Sequence, residues 1–225
     1  MELTEFDSFR DLEDRAFGLL VDHMQKADTG SHAVMLAGGR TPLGLYRRLS
    51  EASVRVDRSL HIIVSDERYV PEDSPESNYG NMRAMLASLH VSERQVLRAE
   101  TRLPVAAAAA EFDARLAAFF GNKGTLTLSL LGLGADGHVA SLFSARDLER
   151  GASCWAIPVN RDDGGLRISV TPRVLGQSRR LIFLAAGPGK KHAVAALASA
   201  PGLTTAGAAV QDVTDVEVWY CPAAP

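Results

Sequence analysis

The chain has 225 residues, a length suited to one α/β domain with a sizeable core, and its 46% hydrophobic and 23% charged content is ordinary for a soluble globular protein. A formal net charge of −3 argues against broad electrostatic binding to nucleic acid and leaves room for a local basic pocket that takes a small anion. Residues 1–14 are acidic without a signal-peptide pattern, and no apolar run approaches the roughly 20 residues of a membrane helix, so a cytoplasmic protein with no membrane partner is expected.

In chain order, Phe9, Leu12, Ala16, Leu19, Leu20 and Met24 recur at helical spacing and predict an amphipathic helix over residues 7–26. Residues 32–37 read as a short buried strand ended by Gly38-Gly39. Thr41 reads as an N-cap with Pro42 at the first helical position, opening a helix to about residue 50. Residues 60–64 form the next strand, which ends in the polar cluster Ser65-Asp66-Glu67-Arg68. A loop with Pro71 and Pro75 leads to a helix over about residues 77–89. Alanine content and the spacing of Phe112, Leu116 and Phe119 make residues 105–120 a helix.

Residues 126–131 are an apolar strand, and residues 155–159 and 167–170 are strand-like. Pro172 opens a short helix. Residues 181–185 form a strand that Gly187-Pro188-Gly189 turns into a helix over about residues 190–198. Residues 216–220 make a closing strand, followed by a frayed tail at 222–225. Strands alternating with helices predict a mostly parallel sheet covered on both faces. There is no internal repeat, and the loop signal at 161–165 is too short to split the chain, so residues 1–225 read as a single domain.

The run Leu131-Gly132-Leu133-Gly134-Ala135-Asp136-Gly137-His138-Val139-Ala140-Ser141-Leu142-Phe143 carries the most chemistry. Its glycines let the backbone take positive φ and approach a ligand closely. Asp136, two residues before His138, can orient the imidazole or stabilise its protonated form, which suits general base work. In an open α/β sheet such a pair belongs at the carboxyl end of a strand. Gly132-x-Gly134-x-x-Gly137 also matches the dinucleotide fingerprint, yet residues 155–160 lack the acid expected after the next strand. NAD binding therefore ranks below hydrolysis. The bland alternative makes Asp136 a helix cap and His138 a polar turn residue.

Gly38-Gly39-Arg40-Thr41-Pro42 opens a helix, and helix N-termini attract anions. Arg40 and the Thr41 hydroxyl would add contacts to phosphate oxygens. A tight loop with an N-cap threonine is the alternative, and it explains the paired glycines and Arg40 less well. No Gly-Lys-Ser/Thr follows, so this is not a P-loop and ATP hydrolysis is disfavoured. Arg68 is either a bidentate phosphate ligand or a salt-bridge partner of Glu67, Glu72 or Asp73, with equal support. Lys190 at a helix start opposes the dipole, which a bound anion would offset, whereas Lys191 and His192 read as solvent-facing. Arg167, at a strand start, is a weaker candidate of the same kind. His23, His32, His61 and His90 lack ligand spacing, and Cys154 and Cys221 lack metal or redox spacing, so no metal site is expected.

Five segments, in this order, resemble the 6-phosphogluconolactonase family and the wider grouping that includes glucosamine-6-phosphate deaminases. They are Gly38-Gly39-Arg40-Thr41-Pro42; Ser65-Asp66-Glu67-Arg68-Tyr69-Val70 with Asp73 and Ser77-Asn78; the run from Leu131 to Phe143; Arg167-Ile168-Ser169-Val170-Thr171; and Gly187-x-x-Lys190. Ala140-Ser141-Leu142-Phe143-Ser144 looks like the lactonase tail, where the deaminase carries an Ala-Phe-Asn-Glu-Pro-like segment. Arg40 stands where the family often has Ser, and Ser169 and Pro172 depart from its usual Arg-Ile-Thr-Leu-Thr run.

The resemblance implies a Rossmann-like three-layer α/β/α fold and hydrolysis of 6-phospho-D-glucono-1,5-lactone to 6-phospho-D-gluconate, in the oxidative pentose phosphate pathway. It implies no metal or organic cofactor. His138 and Asp136 would be catalytic. Gly38, Gly39, Arg40, Thr41, Asp66, Arg68, Asn78, Arg167 and Lys190 would bind the substrate, a small sugar-phosphate lactone. The expected assembly is a monomer or small homo-oligomer. The alternatives are a deaminase-like amino-sugar phosphate enzyme and a non-catalytic sugar-phosphate-binding protein.

Overall fold

The computed structural model describes residues 1–26, 30–161 and 164–224. The chain runs β1 (Glu2–Glu5), α1 (Phe9–Gln25), β2 (His32–Leu36), α2 (Leu43–Glu51), β3 (Leu60–Val64), β4 (Asp66–Arg68), α3 (Asn78–Ser88), β5 (Val96–Leu97) and α4 (Val105–Gly121). It continues with β6 (Thr125–Gly132), α5 (Ala145–Gly151), β7 (Ala156–Asn160), β8 (Leu166–Val170), α6 (Pro172–Leu175), β9 (Leu181–Ala186), α7 (Lys191–Ser199), α8 (Thr205–Ala209) and β10 (Val216–Cys221).

β2, β9 and β10 are buried along their whole length, as parallel strands covered on both faces must be. Among the described residues the main sheet has the order β1-β10-β9-β6-β2-β3-β5, with every neighbour parallel. Successive side chains take opposite faces. Val34, Leu36, Ile62 and Val64 meet Leu20, Met24, Leu49 and Met82 of α1 to α3 on one face. Ala33, Met35, Ile63, Leu131 and Phe183 meet Phe112, Leu116, Val194 and Leu197 of α4 and α7 on the other. This is the expected three-layer α/β/α arrangement. From β2 the chain moves outward to β3 and β5, then crosses to place β6 on the other side of β2. The strand order thus reverses between β2 and β6, and in open α/β sheets ligands bind beyond the carboxyl ends of the strands at such a reversal.

Three expectations change. The strands read at 155–159 and 167–170 do not join the parallel sheet: β7 and β8 form an antiparallel hairpin, and β4 pairs antiparallel with β8 to complete a separate sheet of order β4-β8-β7. The connection between β7 and β8 closes on itself, with Arg161 N–H donating to Gly165 O at 2.9 Å, and leaves no length for a crossover helix. Part of the loop read at 161–165 and the last tail residue lie outside the described residues. Thr41 does not cap α2. A turn closed by Leu43 N–H on Arg40 O (3.2 Å) puts Pro42 at the cap position, and no side-chain cap bond forms. Asp136 is followed by tight turns rather than a helix, so it caps nothing.

β1, β4, β5, α5 and α8 went unread, since residues 65–68 read only as a polar cluster at the end of β3. β1 is four mostly polar residues on a sheet edge and β5 is two residues long, too short for periodicity to register. α5 is short and polar, but its reciprocal Ser144–Asp147 capping box was a readable start signal.

Glu67 ties the small sheet to α3. Its buried carboxylate accepts N–H bonds from Arg68 (2.8 Å), Asn78 (2.7 Å) and Tyr79 (2.8 Å). Burial raises its pKa against the pull of those bonds. Truncation would orphan the donors at the α3 N-terminus, so Glu67→Ala should cost about 1–3 kcal/mol in urea unfolding. An unchanged midpoint and slope would count against this role.

Candidate active site

Strands β9, β6, β2 and β3 are adjacent and parallel, so the four chain exits at their carboxyl ends share one edge of the sheet. Three are the loops at 187–190, 133–143 and 37–42, and the fourth exit, after Ser65, runs directly into β4. Chain positions far apart in sequence meet there because the strands between them pair in this order.

After β6, Leu133 pairs antiparallel with Val139, and Gly134 N–H donates to His138 O at 2.9 Å. Gly137 takes φ +84°, and its N–H donates to Gly134 O at 3.1 Å. This tight loop brings Asp136 Oδ1 to 2.5 Å from His138 Nδ1. A Cβ on Gly134 would overlap the His138 ring and the Asp136 carboxylate, so the pair needs glycine there. Burial pushes the Asp136 carboxyl up, but the hydrogen bond and charge of His138 outweigh it and hold it below the usual carboxylate range. With Asp136 on Nδ1, the proton belongs on that nitrogen and Nε2 keeps its lone pair. Phe143 packs against the imidazole, ring centroids 4.6 Å apart, and the Arg161 guanidinium lies 5.0 Å from the Phe143 centroid.

After β2, the buried Tyr46 hydroxyl donates to Ala37 O at 2.5 Å and pins the strand end, and burial raises its pKa. Gly39 takes φ +91°, and a Cβ on Gly38 would overlap the Asn78 side chain. Arg40 is exposed, and the Thr41 hydroxyl makes no hydrogen bond among the described residues. After β9, Gly187 takes φ +93° and leads to Lys190, half-buried at the start of α7. Burial lowers the Lys190 pKa, with Asp136 opposing and Arg40 adding to the shift. The ammonium therefore sits within electrostatic reach of both the β6 and the β2 loops.

After β3, Asp66 spends both carboxylate oxygens inside the fold, on Ser65 Oγ (2.8 Å) and Ser141 Oγ (2.7 Å). Asn78 is buried beneath Gly38 and donates to Asp66 O at 2.7 Å; its Oδ1 has no hydrogen-bond partner among the described residues. Arg68 Nη1 donates to Glu76 O at 2.7 Å. Glu67 faces α3 and Glu72 pairs with Arg98 at 2.8 Å, so Arg68 has no ion pair within 4 Å among the described residues. Arg68 and Arg167 are directly opposite in the β4–β8 ladder.

A model of the family described as glucosamine-6-phosphate isomerases/6-phosphogluconolactonase matches residues 8–219. The chain belongs to this family. A 6-phosphogluconolactonase of Thermotoga maritima is 36% identical over 161 residues, 70% of each chain. One of Synechocystis sp. is 35% identical over 178 residues, 75% of this chain and 72% of the other. The crystal structure of the T. maritima 6-phosphogluconolactonase matches with a TM-score of 0.78 at 27% identity, covering 98% of both chains.

Within this family member, sequence reasoning missed the positions of Phe143, Arg161, Ser141 and Ser169. Phe143 and Ser141 stood in the glycine motif, but nothing local shows that one meets the imidazole and the other the β4 carboxylate. Arg161 gave no signal beyond its charge. Among the described residues, no three His, Cys, Asp or Glu side chains converge as a metal site would require.

Proposed function

We propose that this chain hydrolyses 6-phospho-D-glucono-1,5-lactone to 6-phospho-D-gluconate, a step of the oxidative pentose phosphate pathway, by metal-independent general-base attack of water. The observation that carries the proposal is the Asp136–His138 pair at the strand-order reversal, between the loops that carry Arg40 and Lys190, on a loop that Ser141 ties to the β4–β8 ladder of Arg68 and Arg167. The similarity to 6-phosphogluconolactonases across most of the chain supports it.

A lactone is an activated ester, so water needs a base and a stabilised oxyanion. His138 Nε2 takes a proton from water as the oxygen bonds to the lactone carbonyl carbon. Asp136 holds the Nδ1 proton and steadies the imidazolium that forms. The Gly134 and Gly137 N–H groups are spent within the turn, which leaves Lys190, partly stripped of water, for the oxyanion. As the intermediate collapses, the bond to the ring oxygen breaks and the imidazolium proton passes to that oxygen. The new carboxylic acid then ionises and releases a proton to water.

The 6-phosphate binds between Arg68 and Arg167, with Arg40 and Thr41 beside it. Two guanidinium groups on opposite positions of one ladder can offer a dianion charge-assisted hydrogen bonds from both sides. Phosphate binding orients the carbonyl and lowers the entropic cost of reaching the transition state. The deaminase alternative lacks its glutamate-bearing tail, because Ala140-Ser141-Leu142-Phe143 occupies that stretch and Phe143 packs on the base. A lactonase assay with freshly made substrate, corrected for spontaneous hydrolysis, tests the proposal. Catalysed acid release is expected. Ammonia release from glucosamine 6-phosphate would replace it with the deaminase, and phosphogluconate binding without turnover would make the chain a sensor.

A further inference from the structure

Ser141 lies three residues after His138 and is 1% exposed. Its Oγ donates to Asp66 Oδ2 at 2.7 Å, and its N–H donates to Ser169 Oγ at 3.1 Å. Ser169 Oγ in turn donates to Val170 O at 2.8 Å. Asp66 and Ser169 face each other in the β4–β8 ladder, and Arg68 and Arg167 are the pair two residues along. Side chains two apart on a strand share a face, about 6.6–7 Å from one another. The base loop is therefore bolted to one rung of the ladder, and the arginines stand on the next rung of the same face.

The loop is bent to reach that rung. Ala140 takes φ +49°, a left-handed conformation that L-residues adopt only under constraint. Bridges from Val139 to Leu133 and Leu142 on one side, and the two Ser141 bonds on the other, hold it there.

We propose that Ser141, Asp66 and Ser169 form a fixed spacer that sets the distance between His138 and the Arg68–Arg167 pair, and so selects phosphorylated lactones by the length between phosphate and carbonyl. The inference rests on the lactonase proposal, since it needs phosphate at the arginines and water at His138. Ser141 and Asp66 are positioning residues, since their polar groups are buried and spent on one another. A lactone one carbon shorter, anchored at the same arginines, leaves its carbonyl short of the water that His138 activates.

The test compares wild type, Ser141→Ala and Asp66→Asn on 6-phospho-glucono-1,5-lactone and on a 5-phosphopentonolactone, with inhibition by inorganic phosphate as the measure of the anion site. Ser141→Ala should lower kcat on the longer lactone about 10- to 100-fold, the scale of an ångström misplacement. KM and phosphate inhibition should stay within about threefold, because the ladder and its arginines are untouched. The preference for the longer lactone should fall about tenfold or more, because the shorter one was never well placed. Asp66→Asn keeps one of the two acceptor oxygens that Ser65 and Ser141 use, and should lose kcat and preference in the same proportion to each other as Ser141→Ala but by a smaller factor. If Ser141→Ala does not fold, Ser169→Ala cuts the same tie at the backbone N–H and reads the same quantities. Unchanged kcat and preference, or equal loss on both lactones with weakened phosphate inhibition, overturns the spacer. Wild-type protein with no turnover of either lactone instead overturns the lactonase proposal.

Discussion

His138→Ala should lower kcat on the six-carbon lactone by about 10²- to 10⁴-fold while KM moves little. In the proposed mechanism the imidazole is the base, and the Asp136 carboxylate 2.5 Å from its Nδ1 prepares it. The side chain is partly exposed and belongs to a turn closed by backbone bonds, so its removal leaves the scaffold intact. On the same proposal some catalysis should remain, because phosphate anchoring and oxyanion stabilisation by Lys190 would survive the loss of a base. Asp136→Ala should cost less alone and almost nothing further in the His138→Ala background, because it works through the imidazole. Stopped assays at matched folded protein, with melting temperature as control, give the measurement. A His138→Ala variant with wild-type kcat removes the base from the mechanism.

The second large effect falls on binding. Arg68→Ala should raise KM roughly 30-fold with kcat nearly unchanged, as expected for about 2 kcal/mol of charge-assisted bonding to phosphate. The geometry behind this is the Arg68–Arg167 rung and the absence of an ion pair within 4 Å of Arg68 among the described residues. The size of the stability change separates phosphate binding from a structural role. Without anion the variant should stay within about 1 kcal/mol of wild type, the scale of the one bond from Arg68 Nη1 to Glu76 O that it loses. With saturating inorganic phosphate, wild type should gain melting temperature and the variant should gain much less. An unchanged KM together with a lowered phosphate-free melting temperature would make Arg68 a structural residue.

Those two residues differ in how legible they were. Asp136 and His138 are two apart, and the glycines around them announce a turn, so their meeting is a local event. Arg68 was ambiguous in the sequence because Glu67, Glu72 and Asp73 were all within reach along the chain. The fold sends Glu67 to the N-terminus of α3 and Glu72 to Arg98, choices made by elements that local periodicity cannot connect. Asp66 and Asn78 entered as substrate-binding residues through the family resemblance. Their side chains are buried, one holding Ser141 and the other lying beneath Gly38, so they support the edge from within.

The sequence by itself determined the strand-and-helix alternation, the glycine turns after β2, β6 and β9, and the chemistry of the side chains those turns carry. Apolar period, proline position and positive-φ glycine act over a few residues, and a few residues suffice to read them. Only the tertiary structure decided that β6 lies beside β2, that β4 leaves the main sheet to pair with β8, and that Ser141 is bolted to Asp66 75 residues away. Strand order and cross-strand register come from backbone bonds between distant segments, closed at an entropic cost that shape and burial repay. No local pattern encodes which partner will be found.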